Sequence, residues 1–265
     1  MQKTRTISEL FRLEGRVALV TGGSRGLGLQ MASALGELGA SVVVSARKQQ
    51  ELDEAVAVLQ AQGIQASAIA SDLSHSDAAQ ELVQKLMRQH GRLDVLINNA
   101  GATWGAPAED YPLEAWDKVM NLNVRSIFQL CQQAAHASMI PNRYGRIINI
   151  ASIAGLAGNA PGTMQTIAYN TSKAALINFT RTLAGEWGVH GITVNAIAPG
   201  FFPSKMTKGT LDRLGAATLA SHSPLQRIGD DEDLKGATAL FATDAGKHIT
   251  GQVLAVDGGI SAVMA

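Results

Sequence analysis

Seven short, β-rich apolar runs alternate with helical stretches along this chain, and that alternation admits few folds. The runs are RVALVTG, ASVVVSA, IQASAIAS, LDVLINNA, RIINIAS, ITVNAIAP and QVLAVDGG. Several are continuously apolar, as strands are when helices cover both faces of a parallel sheet. Between them lie helical patterns such as LGLQMASALGELGA, QQELDEAVAVLQAQG, DAAQELVQKLMRQHG and LEAWDKVMNLNVRSIFQLCQQAAH, with YNTSKAALINFTRTLAGEW and DDEDLKGATALFATD further on. No repeat, linker or shift in composition divides the 265 residues. The pattern predicts one doubly wound α/β domain over 1–265, a seven-stranded parallel sheet with helices on both faces. Ligands are expected beyond the carboxyl ends of the strands, bordered by the irregular stretches 152–168 and 199–212.

Composition removes several function classes. The formal net charge is zero, so no long-range field draws the chain to nucleic acid or to an anionic membrane. The six histidines are scattered without ligand spacing, and no catalytic metal is expected. The one cysteine, Cys131, sits in an apolar helical stretch and reads as core, consistent with a reducing compartment. No apolar run approaches the ~20 residues of a membrane span, and MQKTRTISELFRLEG lacks the apolar centre of a secretion signal. The expectation is a soluble, cytoplasmic protein.

The first strand runs into TGGSRGLG, Thr21 to Gly28. Gly22, Gly26 and Gly28 permit a tight turn and a close approach of backbone to a pyrophosphate, with Ser24, Arg25 and Leu27 between them at a helix start. This placement in the first strand–helix–strand unit predicts dinucleotide binding and a Rossmann domain. At the end of the second strand an NAD-type site would carry an acid for the ribose 2′-hydroxyl. Here Arg47 and Lys48 stand, the first acid is Glu51 in the next helix, and Arg25 projects from the glycine loop. Cations without an acid suit a 2′-phosphate, so NADP(H) is the expected cofactor. Asp72, followed by Leu73, ends the third strand and is placed either to accept from the adenine amino group or to cap the next helix. Asn98, Asn99, Ala100 and Gly101 end the fourth, placed to pack on the adenine ribose, to stabilise the sheet edge, or both.

Tyr169 and Lys173 lie four residues apart at a helix start, on one face and about one turn apart. A phenol ionises near pH ~10, and a cation one turn away lowers that value, making it a usable proton donor and acceptor. Ser152, at the end of a strand, can hold a substrate oxygen beside it. Asn123, inside a helix, is either a buried hydrogen-bonding group or a surface residue.

Taken in order, TGGSRGLG, NNAG, Asn123, Ser152, Tyr169 to Lys173, Pro199-Gly200 and the closing VDGG resemble the short-chain dehydrogenase/reductase family over nearly the whole chain. The resemblance implies a nicotinamide cofactor and hydride transfer. It implies Tyr169 as acid/base, Lys173 as the ribose-binding and pKa-lowering cation, Ser152 as positioner of the substrate oxygen, and Asn123 as holder of a relay water. It also implies Pro199, Gly200, Phe202 and Ser204 along the nicotinamide. Two departures stand out. The segment GLAGNAPGTMQTIA makes the Ser152–Tyr169 interval longer than usual, and Gly185 stands where carrier-protein reductases carry an arginine, leaving Arg143 and Arg181 as candidate contacts for an acidic partner.

The function expected is an NADP(H)-dependent carbonyl reductase or alcohol dehydrogenase, most like 3-oxoacyl reductases. A polyol or sugar-acid oxidoreductase resembling gluconate 5-dehydrogenases is the alternative, and a nucleotide sensor without catalysis the third reading. Trp104, Leu156, Met164, Phe201 and Phe202 are pocket candidates for a small carbonyl or alcohol substrate, with an acyl thioester among the options. Apolar residues around the helices of Tyr169 and Phe128 exceed what one sheet face needs, and with the resemblance they imply a homotetramer. The stretch from Pro199 to Gly215 is expected to act as a lid.

Overall fold

A computed structural model describes residues 4–159 and 163–263. Its centre is a single seven-stranded parallel sheet of β1 (Val17–Thr21), β2 (Ser41–Ala46), β3 (Ala66–Ala70), β4 (Val95–Asn98), β5 (Gly145–Ile150), β6 (Ile192–Pro199) and β7 (Val253–Val256). The spatial order is 3-2-1-4-5-6-7, so the winding reverses between β1 and β4, and a crevice opens above that point. The helices in chain order are α1 (Ile7–Leu10), α2 (Gly26–Glu37), α3 (Gln49–Ala61), α4 (Ala78–His90), α5 (Leu113–Met120), α6 (Ser126–Ala134), α7 (Ile167–Trp187), α8 (Lys208–Leu214), α9 (Ala216–Ser221) and α10 (Lys235–Ala242).

The period of two along each strand divides the core into two layers. Leu19, Leu96 and Ile147 point to one face, where Leu82 and Leu86 of α4, Leu130 of α6 and Leu176 of α7 cover them. Ala18, Val20, Ile97 and Ile148 point to the other, under Met31 and Leu35 of α2, Leu52 of α3 and Phe241 of α10. Both faces are thus dry, which is why the strands read as unbroken apolar runs. In α4, Leu82, Val83 and Leu86 form the stripe that α-helical spacing requires, and the helix stops at Gly91, whose φ of +72° is left-handed.

Two elements differ from the sequence expectation. The helix expected through 113–136 is interrupted by wide π-helical turns at Asn121–Arg125 and Ala135–Met139. The first holds Asn123, and the extra residue in the turn re-aims its side chain into the protein. The stretch 199–212, expected to be irregular, contains most of α8, which ends at Gly215 with φ +81°. Among the described residues no helix is long and apolar enough to cross a membrane.

Candidate active site

Strands β1 to β6 each deliver a site segment just past the carboxyl end. Gly22 and Gly26 adopt φ of +62° and +53°, which L side chains rarely tolerate. A Cβ on Gly28 would strike the Gly22 carbonyl oxygen and come within 2.6 Å of Asn99 Nδ2. Asn99 is the brace of this turn, for its amide donates to the carbonyls of Thr21 (3.0 Å) and Gly22 (3.1 Å). Thr21 Oγ1 in turn accepts from the backbone N–H of Asn99 and of Ala100, joining the ends of β1 and β4 into one cradle. Arg25, preceding α2, makes no side-chain cap, so the first-turn N–H groups of Gly26, Leu27 and Gly28 serve the cleft they line. Such an end suits a pyrophosphate.

The cations expected for a 2′-phosphate do converge at this cleft, with one correction. Glu51 lies on α3, yet it reaches into the cleft, where Arg25 Nη1 pairs with it at 2.7 Å and Lys48 Nζ at 3.3 Å. The sequence places Glu51 in the next helix, away from the second strand's end, but the first turn of α3 returns its carboxylate to the cleft. Its burial acts against ionisation, but the hydrogen bonds from Arg25 and Lys48 hold its carboxyl below the ordinary glutamate value. Asp72 does not cap the next helix, which begins after Asp77. Its Oδ1 accepts from the Ser74 N–H (3.1 Å) and hydroxyl (2.7 Å). Against the upward push of desolvation, those bonds and the Arg47 charge keep it ionised. Leu73 packs beside it, nearly buried.

Tyr169, Lys173 and Ser152 come together as their spacing predicts. The hydroxyl of Ser152 faces that of Tyr169 closely enough to act on its ionisation, and Ser152 Oγ accepts from the Ala154 N–H at 3.2 Å. Lys173 is buried, with Nζ 5.5 Å from the Tyr169 ring centroid, and it donates to the Ile150 carbonyl at 2.6 Å. The expected lowering of the phenol's pKa is not what the structure gives. Burial pushes Tyr169 above its ordinary value, and the Ser152 hydroxyl offsets this only in part. The same burial pulls Lys173 down to about 8. Burial sets both shifts, and the ammonium is hydrogen-bonded to the Ile150 carbonyl.

Asn123 is wholly buried and has an architectural task. Its Oδ1 accepts from the Ala102 N–H at 2.8 Å, while Nδ2 donates to the Ala102 carbonyl (2.9 Å) and to Ser172 Oγ (2.9 Å). Both amide hydrogens are committed, so the side chain ties the β4 loop to α7. Gly101 sits beside it, near Lys173 Nζ.

The whole cleft encloses about 920 Å³. Its wall carries Arg25, Arg47, Lys48, Lys118, Lys173 and Lys205 against Glu51 and Asp72, a positive recess in a neutral chain. Ser24, Ala100, Pro199, Gly200, Phe202 and Ser204 also line it. Thr207, which sequence reasoning passed over, lines it too, and its hydroxyl is locked to Ser204 Oγ at 2.9 Å and to the Phe202 carbonyl. Of the pocket candidates, Trp104 and Phe202 line the cleft, whereas Leu156, Met164 and Phe201 are not among its lining residues. Phe202 is mostly core, packed on Gly229. Arg143 lies just before β5, at the end of the sheet opposite the cleft, and donates to the Val189 carbonyl. Arg181 is twelve residues beyond Tyr169, roughly 18 Å along α7. Neither frames the mouth. Of the stretch 152–168, expected to border the site, only Ser152 lines the cleft among the described residues, and 160–162 lie outside the described residues.

Comparison with known proteins follows the same lines. Over 254 residues, 96% of this chain and 97% of the relative, the sequence is 39% identical to a gluconate 5-dehydrogenase of Gluconobacter oxydans. A rhamnolipids biosynthesis 3-oxoacyl-[acyl-carrier-protein] reductase of Pseudomonas aeruginosa is 43% identical over 253 residues, 94% of this chain and 97% of that one. The structure of a gluconate 5-dehydrogenase from Burkholderia cenocepacia in complex with NADP and tartrate superposes with a TM-score of 0.91 at 29% identity, covering 98% of this chain and all of the other. The short chain dehydrogenase profile matches residues 16–214, and the chain belongs to that family.

Proposed function

We propose that this chain is an NADP(H)-dependent oxidoreductase that interconverts a carbonyl and a secondary alcohol, with a 3-oxoacyl compound as its preferred substrate. One domain carries out both cofactor binding and catalysis. The observation that carries the reading is the Ser152–Tyr169 hydroxyl pair above buried Lys173, at the floor of a positive cleft. The glycine cradle, the uncapped start of α2 and the cations around it fit a dinucleotide with a 2′-phosphate, and the NADP complex of the Burkholderia relative agrees. When bound, the nicotinamide supplies or takes the hydride.

The protein's own groups manage the oxygen and the proton. Ser152, whose oxygen already accepts a backbone N–H, keeps its proton to donate to the substrate oxygen. Tyr169, held protonated by burial, gives its proton to that same oxygen in reduction. Lys173 has three N–H donors, of which one serves Ile150, leaving two for ribose hydroxyls. Asn123 holds Ala102 and Ser172 in place so that the β4 loop and α7 keep their separation.

At the mouth, Trp104 and Met206 are 49% and 44% exposed, an apolar rim that suits an acyl chain better than a polyhydroxy acid. The gluconate reading is kept because a gluconate 5-dehydrogenase is so similar. A substrate panel followed at 340 nm separates the two. Reduction of a 3-oxoacyl thioester should exceed gluconate oxidation in kcat/KM by at least about tenfold, roughly 1.4 kcal/mol. The reverse order would move the assignment to the sugar acid, and inertness toward both would defeat the enzyme reading.

A cytoplasmic homotetramer completes the proposal. On α6, Phe128 is 48% exposed and meets Phe179 of α7 edge-on with ring centroids 6.5 Å apart, an apolar face shared by two helices. Light scattering at micromolar protein should report four chains, and a monomer would refute the assembly.

A further inference from the structure

The residue after Tyr169 takes part in a closed circuit of side-chain hydrogen bonds that the chemistry above does not use. Asn170 Nδ2 donates to Asn159 Oδ1 at 3.2 Å, Asn159 Nδ2 donates to Thr166 Oγ1 at 3.1 Å, and Thr166 Oγ1 donates to Asn170 Oδ1 at 2.8 Å. The second hydrogen of Asn159 goes to the Met164 carbonyl at 2.8 Å. Asn159 Nδ2 also lies 3.4 Å from Asn170 Oδ1, and the three side chains are half-buried, where such circuits reinforce one another. The backbone adds the Asn170 N–H donating to the Thr166 carbonyl at 3.0 Å.

The circuit lies where the segment after Ser152 meets two segments that lead into the cleft. Gln165 O accepts from the Ala106 N–H of the loop after β4 at 2.9 Å. Arg213, on the lid helix α8, donates to the Thr163 carbonyl at 2.9 Å. The stretch 163–166 is therefore bound by the β4 loop, by the lid and by α7. Of these, only the α7 attachment adjoins the proposed proton donor.

We propose that Asn170, with Asn159 and Thr166, is a positioning residue that fixes the segment after Ser152 against α7 and so sets how the carbonyl substrate is seated beside Tyr169. The proposal rests on the oxidoreductase reading for its kinetic arm and not for its structural one. A seat of this kind acts on substrate binding more than on the hydride or proton step, because neither Asn170 nor Asn159 reaches the reacting atoms. The cofactor cradle, built on β1, α2 and β4, is separate from it.

The test compares the parent with Asn170→Ala, Asn159→Ala and the double variant, and with Asn170→Ala/Asn159→Leu as a packing control. Amide exchange is measured first, on the protein without substrate. Peptides covering 163–170 should exchange at least about tenfold faster in both single variants, those covering 17–46 should not change, and the double variant should add little to either single one. KM for the carbonyl substrate should then rise at least about tenfold, with kcat and the NADPH dissociation constant within about twofold of the parent. Unchanged exchange in both single variants, or unchanged KM beside intact turnover, overturns the proposal. So does a uniform loss of NADPH affinity and kcat, which would mean that α7 itself had been damaged. If the parent reduces no carbonyl at all, the oxidoreductase reading fails, while the exchange measurement still decides on the circuit.

Discussion

Tyr169→Phe should lower carbonyl reduction at least ~10²-fold, the scale of a lost general acid, while NADPH binds within about twofold of the parent. The phenyl ring keeps the packing at the start of α7, and only the hydroxyl facing Ser152 is removed. Because burial holds the phenol protonated, reduction by the parent should persist into mildly alkaline solution, and alcohol oxidation should set in only at higher pH. Lys173 supplies a second titration with the opposite consequence. Its value of about 8 means that the ammonium is present below that pH and is lost above it. NADPH affinity should therefore be full below pH 8 and weaken above it, whereas Lys173→Ala should bind weakly and without that pH dependence. Wild-type turnover in Tyr169→Phe, on a substrate the parent demonstrably reduces, would remove the assigned acid. The kinetics and the fluorescence titration of NADPH are read on the same preparations.

The second large effect concerns the cofactor. The parent should favour NADPH over NADH in kcat/KM by at least about tenfold, and Arg47→Asp should invert the preference, a swing of roughly 10² or about 2.7 kcal/mol. The substitution deletes one charge-assisted contact and sets a carboxylate against the 2′-phosphate. Glu51 refines the expectation. It pairs with Arg25 and Lys48, so a 2′-phosphate must compete for those cations. Glu51→Gln should accordingly tighten NADPH several-fold and leave NADH little changed. Equal use of both cofactors by the parent would dismiss the charge argument, since Arg25, Arg47 and Lys48 are its basis.

What could be read in advance was what depends on local order. The dry strands announce themselves because both faces of β1, β4 and β5 are covered, leaving no polar alternation to disguise them. The meeting of Tyr169, Lys173 and Ser152 was legible because one turn of helix and one strand end set it. Gly22, Gly26 and Gly28 were legible because nothing larger satisfies the turn they make. Other features lie outside that reach. Glu51 could be placed only in the helix after β2, because that position says nothing of which way the side chain folds back. Asn123 could be narrowed only to a buried amide or a surface one; the wide turn that aims it at Ala102 answers to packing against α7. The direction of the Tyr169 shift depends on how much water burial removes, which has no signature in the order of residues.

From residue order alone, then, came the doubly wound sheet, the glycine turn after β1 and the meeting of Ser152, Tyr169 and Lys173, all products of short-range periodicity and of the few residue types a tight turn allows. Tertiary structure alone decided the balance of charge around Arg25, Lys48 and Glu51, the protonation bias of the phenol, and the Asn159–Thr166–Asn170 circuit that joins the segment after Ser152 to α7. Desolvation and the direction of a side chain are properties of the surroundings, and those are assembled from residues far apart in the chain.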